Sequence, residues 1–150
     1  MFLEPDSRQQ LQIAENESLV KGVRVVKRGC ATGVTKGILR GVLSSVRIDP
    51  PDTPGPFNCL NNCVGIFDKD QDKDPFFKPG DSGSGVFQID ETNRSLYPIG
   101  IAFGRRNFQQ LTCVCKIKDI AEKFNLSICQ DASLYDMLND IHNEENMDTN

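Results

Sequence analysis

Tryptophan is absent from this 150-residue chain, and histidine occurs once, as His142. A serine or cysteine nucleophile in the body of the sequence therefore has no histidine base near it in the chain. Long apolar runs are also missing, and no segment approaches the ~20 residues that span a bilayer. The opening Met1-Phe2-Leu3-Glu4-Pro5-Asp6 has neither the basic end nor the apolar middle of a signal peptide. These absences predict no membrane partner and, by default, a cytoplasmic location, with secretion expected if the true N-terminus lies upstream. Positive charge is scarce as well: 17 Lys and Arg stand against 21 Asp and Glu, with a pI near 5.0, so no nucleic-acid partner is expected.

What is present is the composition of a soluble globule, 38% hydrophobic and 25% charged, with a length suited to one core. The basic run Lys21, Arg24, Lys27 and Arg28 is interleaved with Val23, Val25 and Val26 and reads as a strand with a solvated basic face. Six cysteines, at 30, 59, 63, 113, 115 and 129, permit disulfides in an oxidising compartment, with pairings the sequence does not choose among. Cys59/Cys63 and Cys113/Cys115 lack the two-residue gap of zinc pairs and have no histidine nearby, so neither metal nor other cofactor is expected. Sequons begin at Asn16, Asn93 and Asn125 and would matter only on export.

Residues 1–20 are polar and read as a lead-in or linker, with a marginal helical turn from Arg8 to Glu15 that places Leu11 on one face. Residues 21–126 have β texture. Strands are predicted at 23–28, 38–48, 64–67, 85–89, 97–103 and 111–117, interrupted by the proline-rich turn at 50–56. Short strands without intervening helices predict an all-β, antiparallel barrel or sandwich. Helices are predicted late, at Lys118 to Phe124 and at Ala132 to His142, within a C-terminal segment 127–150 whose end frays. Asp131 is the N-cap of the second, and Leu134, Met137, Leu138 and Ile141 form its docking stripe.

The densest signal is Pro79-Gly80-Asp81-Ser82-Gly83-Ser84-Gly85-Val86-Phe87, a serine set between glycines beside a carboxylate and ahead of an apolar run. Glycines permit close backbone approach to a ligand, and amides flanking such a turn can converge on an oxyanion. A P-loop is excluded because Val86-Phe87 stands where Lys and Ser/Thr are required. A nucleophile elbow is excluded because Ser84 occupies its second glycine position. The acidic run Asp68 to Asp74 begins like a calcium loop, but Lys73 replaces the turn glycine and Pro79 the closing glutamate.

With these excluded, Gly80-Asp81-Ser82-Gly83-Ser84-Gly85 resembles the nucleophile loop of the trypsin/chymotrypsin-like serine peptidase family. The segment Val25 to Gly37 is similar in style to that family's strand and glycine–threonine turn. Pro98-Ile99-Gly100-Ile101-Ala102-Phe103-Gly104 looks like the strand lining its cleft, and Cys115 to Ile120 like its last strand entering the terminal helix. The similarity covers roughly residues 20–125 and concerns the family's C-terminal barrel.

The resemblance implies a six-stranded Greek-key barrel followed by C-terminal helices. It assigns Ser82 as the acyl-forming nucleophile and the amides of Gly80 and Ser82 as the oxyanion hole. Ala102, Phe103 and Gly104 would pair with an extended protein or peptide substrate. Phe76 would floor the primary specificity pocket and favour small or apolar side chains, or Asp74 would take that place with one gap in the loop. Asp81 is the site-shaping acid; in proteolytically activated members it pairs with a newly formed N-terminal amine, and left unpaired it would give a zymogen-like site. The family's histidine and aspartate come from a first barrel that this sequence does not contain, which leaves His142 as the sole candidate base. The implied partners are a first-barrel lobe or a second copy, meeting an exposed inter-lobe face. A serine endopeptidase lobe, a non-catalytic interaction module and a calcium-binding domain are the competing expectations.

Overall fold

The structure is a computed structural model and describes residues 10–43, 45–47, 52, 54–55, 59–69, 75–92, 94–106, 109–129, 137, 139, 141 and 143. It is mostly β. Six strands close into an antiparallel barrel: β2 (Arg24–Gly29), β3 (Gly33–Leu43), β6 (Cys63–Asp68), β9 (Leu111–Lys116), β8 (Ser95–Arg106) and β7 (Gly85–Asp90), in that order around the wall. Two short ribbons flank it. β1 (Gln10–Leu11) pairs with β10 (Ile128–Cys129), and β4 (Val46–Arg47) pairs with β5 (Cys59–Leu60). The helix α1 (Lys118–Phe124) follows β9 and ends at Asn125, whose φ of 53° is the left-handed conformation that terminates a helix.

The two-residue repeat of a strand sends alternate side chains to opposite faces, and the barrel strands follow it except at register shifts in β3, β7 and β8, the last of which lets Ile99 and Ala102 both face the main core. Val25, Val64, Ile66, Ala102 and Val114 point inward to the main core with Leu39, Phe76, Phe77, Val86 and Ile99. Their neighbours point outward into two further clusters. Val26, Ile89 and Leu96 meet Met137 and Ile141, whereas Cys63 and Cys113 meet Val46 under partial cover from Phe103. Closing the barrel requires close approach of β8 and β9 at Gly100, where a Cβ would stand 1.9 Å from the Cys115 carbonyl oxygen.

All six expected barrel strands are present. The second begins at Gly33 rather than at 38, because only residues 30–32 are needed to turn the β2–β3 hairpin, and it ends at Leu43 rather than at 48, with Val46–Arg47 pairing with β5 outside the barrel. The expected helix at Lys118 to Phe124 is observed. Of the stripe on the second expected helix, Met137 and Ile141 are helical and buried against the barrel; Asp131, Leu134, Leu138 and His142 lie outside the described residues.

Two expectations are corrected. Residues 10–20 are not a free linker: Ala14 and Leu19 enter the main core, and the Ala14 amide donates to the Pro98 carbonyl at 2.9 Å. A strand at Gln10–Leu11 and extended chain to Glu15 stand where the helical turn was expected, in its described part, and a short 3-10 turn follows at Asn16–Ser18. Lys27 does not lie on a solvated face. It shares the inward parity of Val25 and is fully buried.

Cys30 is exposed, Cys63 and Cys113 are buried, and Cys115 is intermediate; all four are free thiols. Burial, reinforced by the neighbouring Cys115 and Cys113, pushes the Cys63 thiol up to about 11, and burial also raises Cys113 and Cys115. A thiol reagent near neutral pH should modify Cys30 and leave Cys63, Cys113 and Cys115 intact until the chain unfolds. Peptide mapping by mass spectrometry reads this out, and early modification of Cys63 would contradict the closed outer face.

Candidate functional site

Two carboxylates pin the segment that carries the serine. At its start, Asp68 at the end of β6 accepts both guanidinium nitrogens of Arg105 at 2.7 Å each and the Phe76 amide at 2.9 Å. Burial raises the Asp68 carboxyl, but the Arg105 and Phe76 hydrogen bonds outweigh it and hold the group below its ordinary value. The Phe76 carbonyl in turn accepts from Thr35 Oγ1 at 2.7 Å. Phe76 is thereby drawn into the core.

At the other end Asp81 is the anchor, fully buried and gripped by five donors. Its Oδ1 accepts the amides of Ala31 at 2.9 Å and Thr32 at 3.2 Å. Its Oδ2 accepts the Lys78 amide at 3.0 Å, Thr32 Oγ1 at 2.7 Å and Lys27 Nζ at 3.1 Å. Gly29 makes room for it, since a Cβ there would stand 2.1 Å from Asp81 Oδ1. Burial alone would raise this carboxyl. The Thr32 hydroxyl, the Lys78 amide, Lys27 and the Ala31 amide together hold it well below the usual carboxylate range. Asp81 is thus paired within its own chain, so the condition for a zymogen-like acid, an unpaired Asp81, is not met.

With its side chain anchored inward, Asp81 turns the main chain outward twice. Its amide donates to the Lys78 carbonyl at 3.0 Å, and its carbonyl accepts the Ser84 amide at 3.1 Å and Ser84 Oγ at 2.5 Å. Gly80 and Gly83, with φ of 101° and 92°, supply the left-handed residues on either side. Ser82 is exposed at the tip. Among the described residues, the amides of Gly80 and Ser82 donate to no protein acceptor and Ser82 Oγ has no side-chain partner.

The strand expected to hold a ligand lies directly alongside. β7 begins at Gly85, opposite Ile101, so from Ala102 onward β8 keeps β9 on one flank only. Ala102 itself is committed: it donates to the Ser84 carbonyl and accepts the Gly83 amide, each at 2.9 Å, and its side chain is buried. Phe103 sits at a register shift between Ala102 and Gly104. A Cβ on Gly104 would meet nothing within 4 Å. Among the described residues, Phe103 to Arg106 therefore lack a strand on one flank, beginning beside the serine turn.

Phe76 does not floor an open pocket. Its ring is 1% exposed, and the Lys27 ammonium stands 5.2 Å from its centroid. The adjacent surface carries a cleft of about 350 Å³ lined by Pro75, Phe77, Lys78, Pro79 and Arg105. Asp74 and His142 lie outside the described residues. Asp68, read in the sequence as the start of a calcium-like run, is occupied by Arg105, and no three metal-ligating side chains group together among the described residues.

The sequence reading missed Lys27, Thr32, Gly29 and Arg105. For Lys27 and Gly29 a signal was available, because both share the parity of the inward-facing Val25. No protein-family model matches the chain, and no curated protein matches it.

Asp81 contributes stability that is fully present above the ordinary carboxylate range and is lost as pH falls through its depressed folded value. Asp81→Asn, which leaves Lys27 buried without its counter-charge, should lower unfolding stability by about 3–5 kcal/mol near neutral pH. The gap from the unmodified chain should stay level down to about pH 5 and narrow below about pH 4. Urea unfolding across that range measures it, and a gap that widens in acid would contradict the assignment.

Proposed function

We propose that this chain is the nucleophile lobe of a serine-type endopeptidase of the trypsin-like kind, with its proton acceptor supplied by a partner lobe. The observation that carries the reading is the exposed Ser82 hydroxyl on an anchored turn. Two amides without acceptors among the described residues flank it, and a strand edge unpaired among those residues lies beside it. An extended peptide would add to Phe103–Arg106 by main-chain hydrogen bonds and present a carbonyl carbon to Ser82 Oγ. Attack forms the bond from Ser82 Oγ to that carbon, moves the hydroxyl proton to the base and places the oxyanion of the tetrahedral adduct against the Gly80 and Ser82 amides. Collapse expels the amine with that proton, and water then releases the acyl group.

The wall order supports a Greek key. Numbered along the chain, the barrel strands run first, second, third, sixth, fifth, fourth. The third-to-fourth connection, which carries Phe76 to Ser84, thus crosses from one side of the barrel to the other. That crossing brings the serine turn against the β2–β3 hairpin. Exposed Ile101, Ile120, Phe124 and Leu126 offer apolar surface for a partner lobe or a second copy.

A second reading is a peptide-binding module without chemistry. It is favoured by the lack of any described side chain in hydrogen-bond contact with Ser82 Oγ, since an unassisted serine hydroxyl is a weak nucleophile. A fluorophosphonate probe separates the two. Labelling at Ser82 should be slow, absent in Ser82→Ala, and accelerated about tenfold by added imidazole, a free base lacking the positioning that gives larger factors. No labelling with or without imidazole would overturn the peptidase reading. If an extended peptide still shifted the amide resonances of Phe103 to Arg106, the binding module would stand in its place.

A further inference from the structure

A charged carboxylate buried between the two proposed oxyanion amides is costly to desolvate, and a full cation among its donors offsets that cost in a way neutral donors do not. Of the five donors on Asp81, three are backbone amides, one is the Thr32 hydroxyl, and one is a full cation, Lys27. The side chains of both partners are 0% exposed, and their ion pair measures 3.1 Å.

The Lys27 ammonium is itself fully engaged. It donates to Thr32 Oγ1 at 2.7 Å and to Asp81 Oδ2, and it faces the Phe76 ring. Thr32 Oγ1 donates in turn to Asp81 Oδ2, so lysine, threonine and aspartate form a closed triangle. Lys27 sits in the middle of β2, opposite Thr35 of β3 and Val86 of β7. Its position is therefore fixed by the barrel wall rather than by a mobile segment.

We propose that Lys27 is the positioning residue of the serine turn: its buried ammonium neutralises Asp81 and thereby sets the Gly80 and Ser82 amides when the barrel folds. This rests on the peptidase reading for its meaning and extends it to regulation. The latch is made by the chain's own interior lysine, so the turn is ordered without a newly cut N-terminus. Burial lowers the Lys27 ammonium against the opposing pull of Asp81, in keeping with a lysine held by one strong partner away from water.

The test is Lys27→Met, which keeps most of the side-chain volume and removes the charge, followed by amide hydrogen exchange. The bonded amides of Lys78, Asp81, Gly83 and Ser84 report on the turn, and those of β6 and β9 report on the barrel. The expected result is exchange faster by about tenfold or more at the turn, the scale of losing one charge-assisted hydrogen bond, with barrel protection retained. Unchanged turn exchange, or a loss spread evenly over turn and barrel, would overturn the proposal.

If Lys27→Met does not fold, the double variant Lys27→Met/Asp81→Asn decides, since removing both charges relieves the buried imbalance. A folded double variant with a fast-exchanging turn supports the latch. An unfolded one, or one with an ordinary turn, overturns it. Probe labelling of Ser82 in the unmodified chain reports separately on the chemistry, so a labelled protein whose Lys27→Met turn is unaltered loses only the latch.

Discussion

The rest of the site depends on one buried carboxylate. Asp81 is inward, charged and satisfied, and because it is inward its neighbours are outward. Gly80 and Ser82 lie one residue to either side, so whatever fixes the Asp81 side chain fixes the two amides and the serine hydroxyl. Three features of the β2–β3 hairpin converge to hold it: the missing Cβ of Gly29, the amides of Ala31 and Thr32, and the charge of Lys27. The hairpin shapes the site without contributing an atom to the proposed chemistry.

Energetically, a buried ion pair is a poor source of net stability, because desolvation of both ions offsets most of their attraction. Its value is geometric. An apolar pair would pack as well but would leave the main chain around Ser82 free to choose among turns. The same logic applies at Asp68, where the Arg105 fork and the Phe76 amide fix the start of the segment. From Phe76 to Ser84 the chain is tied at both ends, which suits a group that must meet a substrate with no reorganisation.

The barrel was legible in the sequence because its strands alternate and are short: Val25, Val64, Ile66 and Val114 announce the inward face. The serine turn was legible because glycines surround it. The latch was not read, although its parity was available, because lysine beside valine on a basic run suggests solvent unless a buried acid is known to await it. That acid lies more than fifty residues away, and pairing over such a separation is set by the crossing from β6 to β7, which local pattern does not encode. Arg105 was hidden for the same reason, its partner being across the barrel mouth. The N-terminal segment was misread because Ile13-Ala14 and Leu19-Val20 are short apolar pairs in polar surroundings, with no strand or helix period, and only packing against the barrel makes Ala14 and Leu19 core.

The most direct measurement is a carbon-13 NMR titration of the Asp81 carboxyl in the folded protein. The account expects no titration through the ordinary carboxylate range, with the resonance staying that of an ionised group until acid unfolds the chain. A carboxyl that protonates near its unperturbed value while the barrel remains folded would contradict the account, because the turn would then be held by something other than a buried charge.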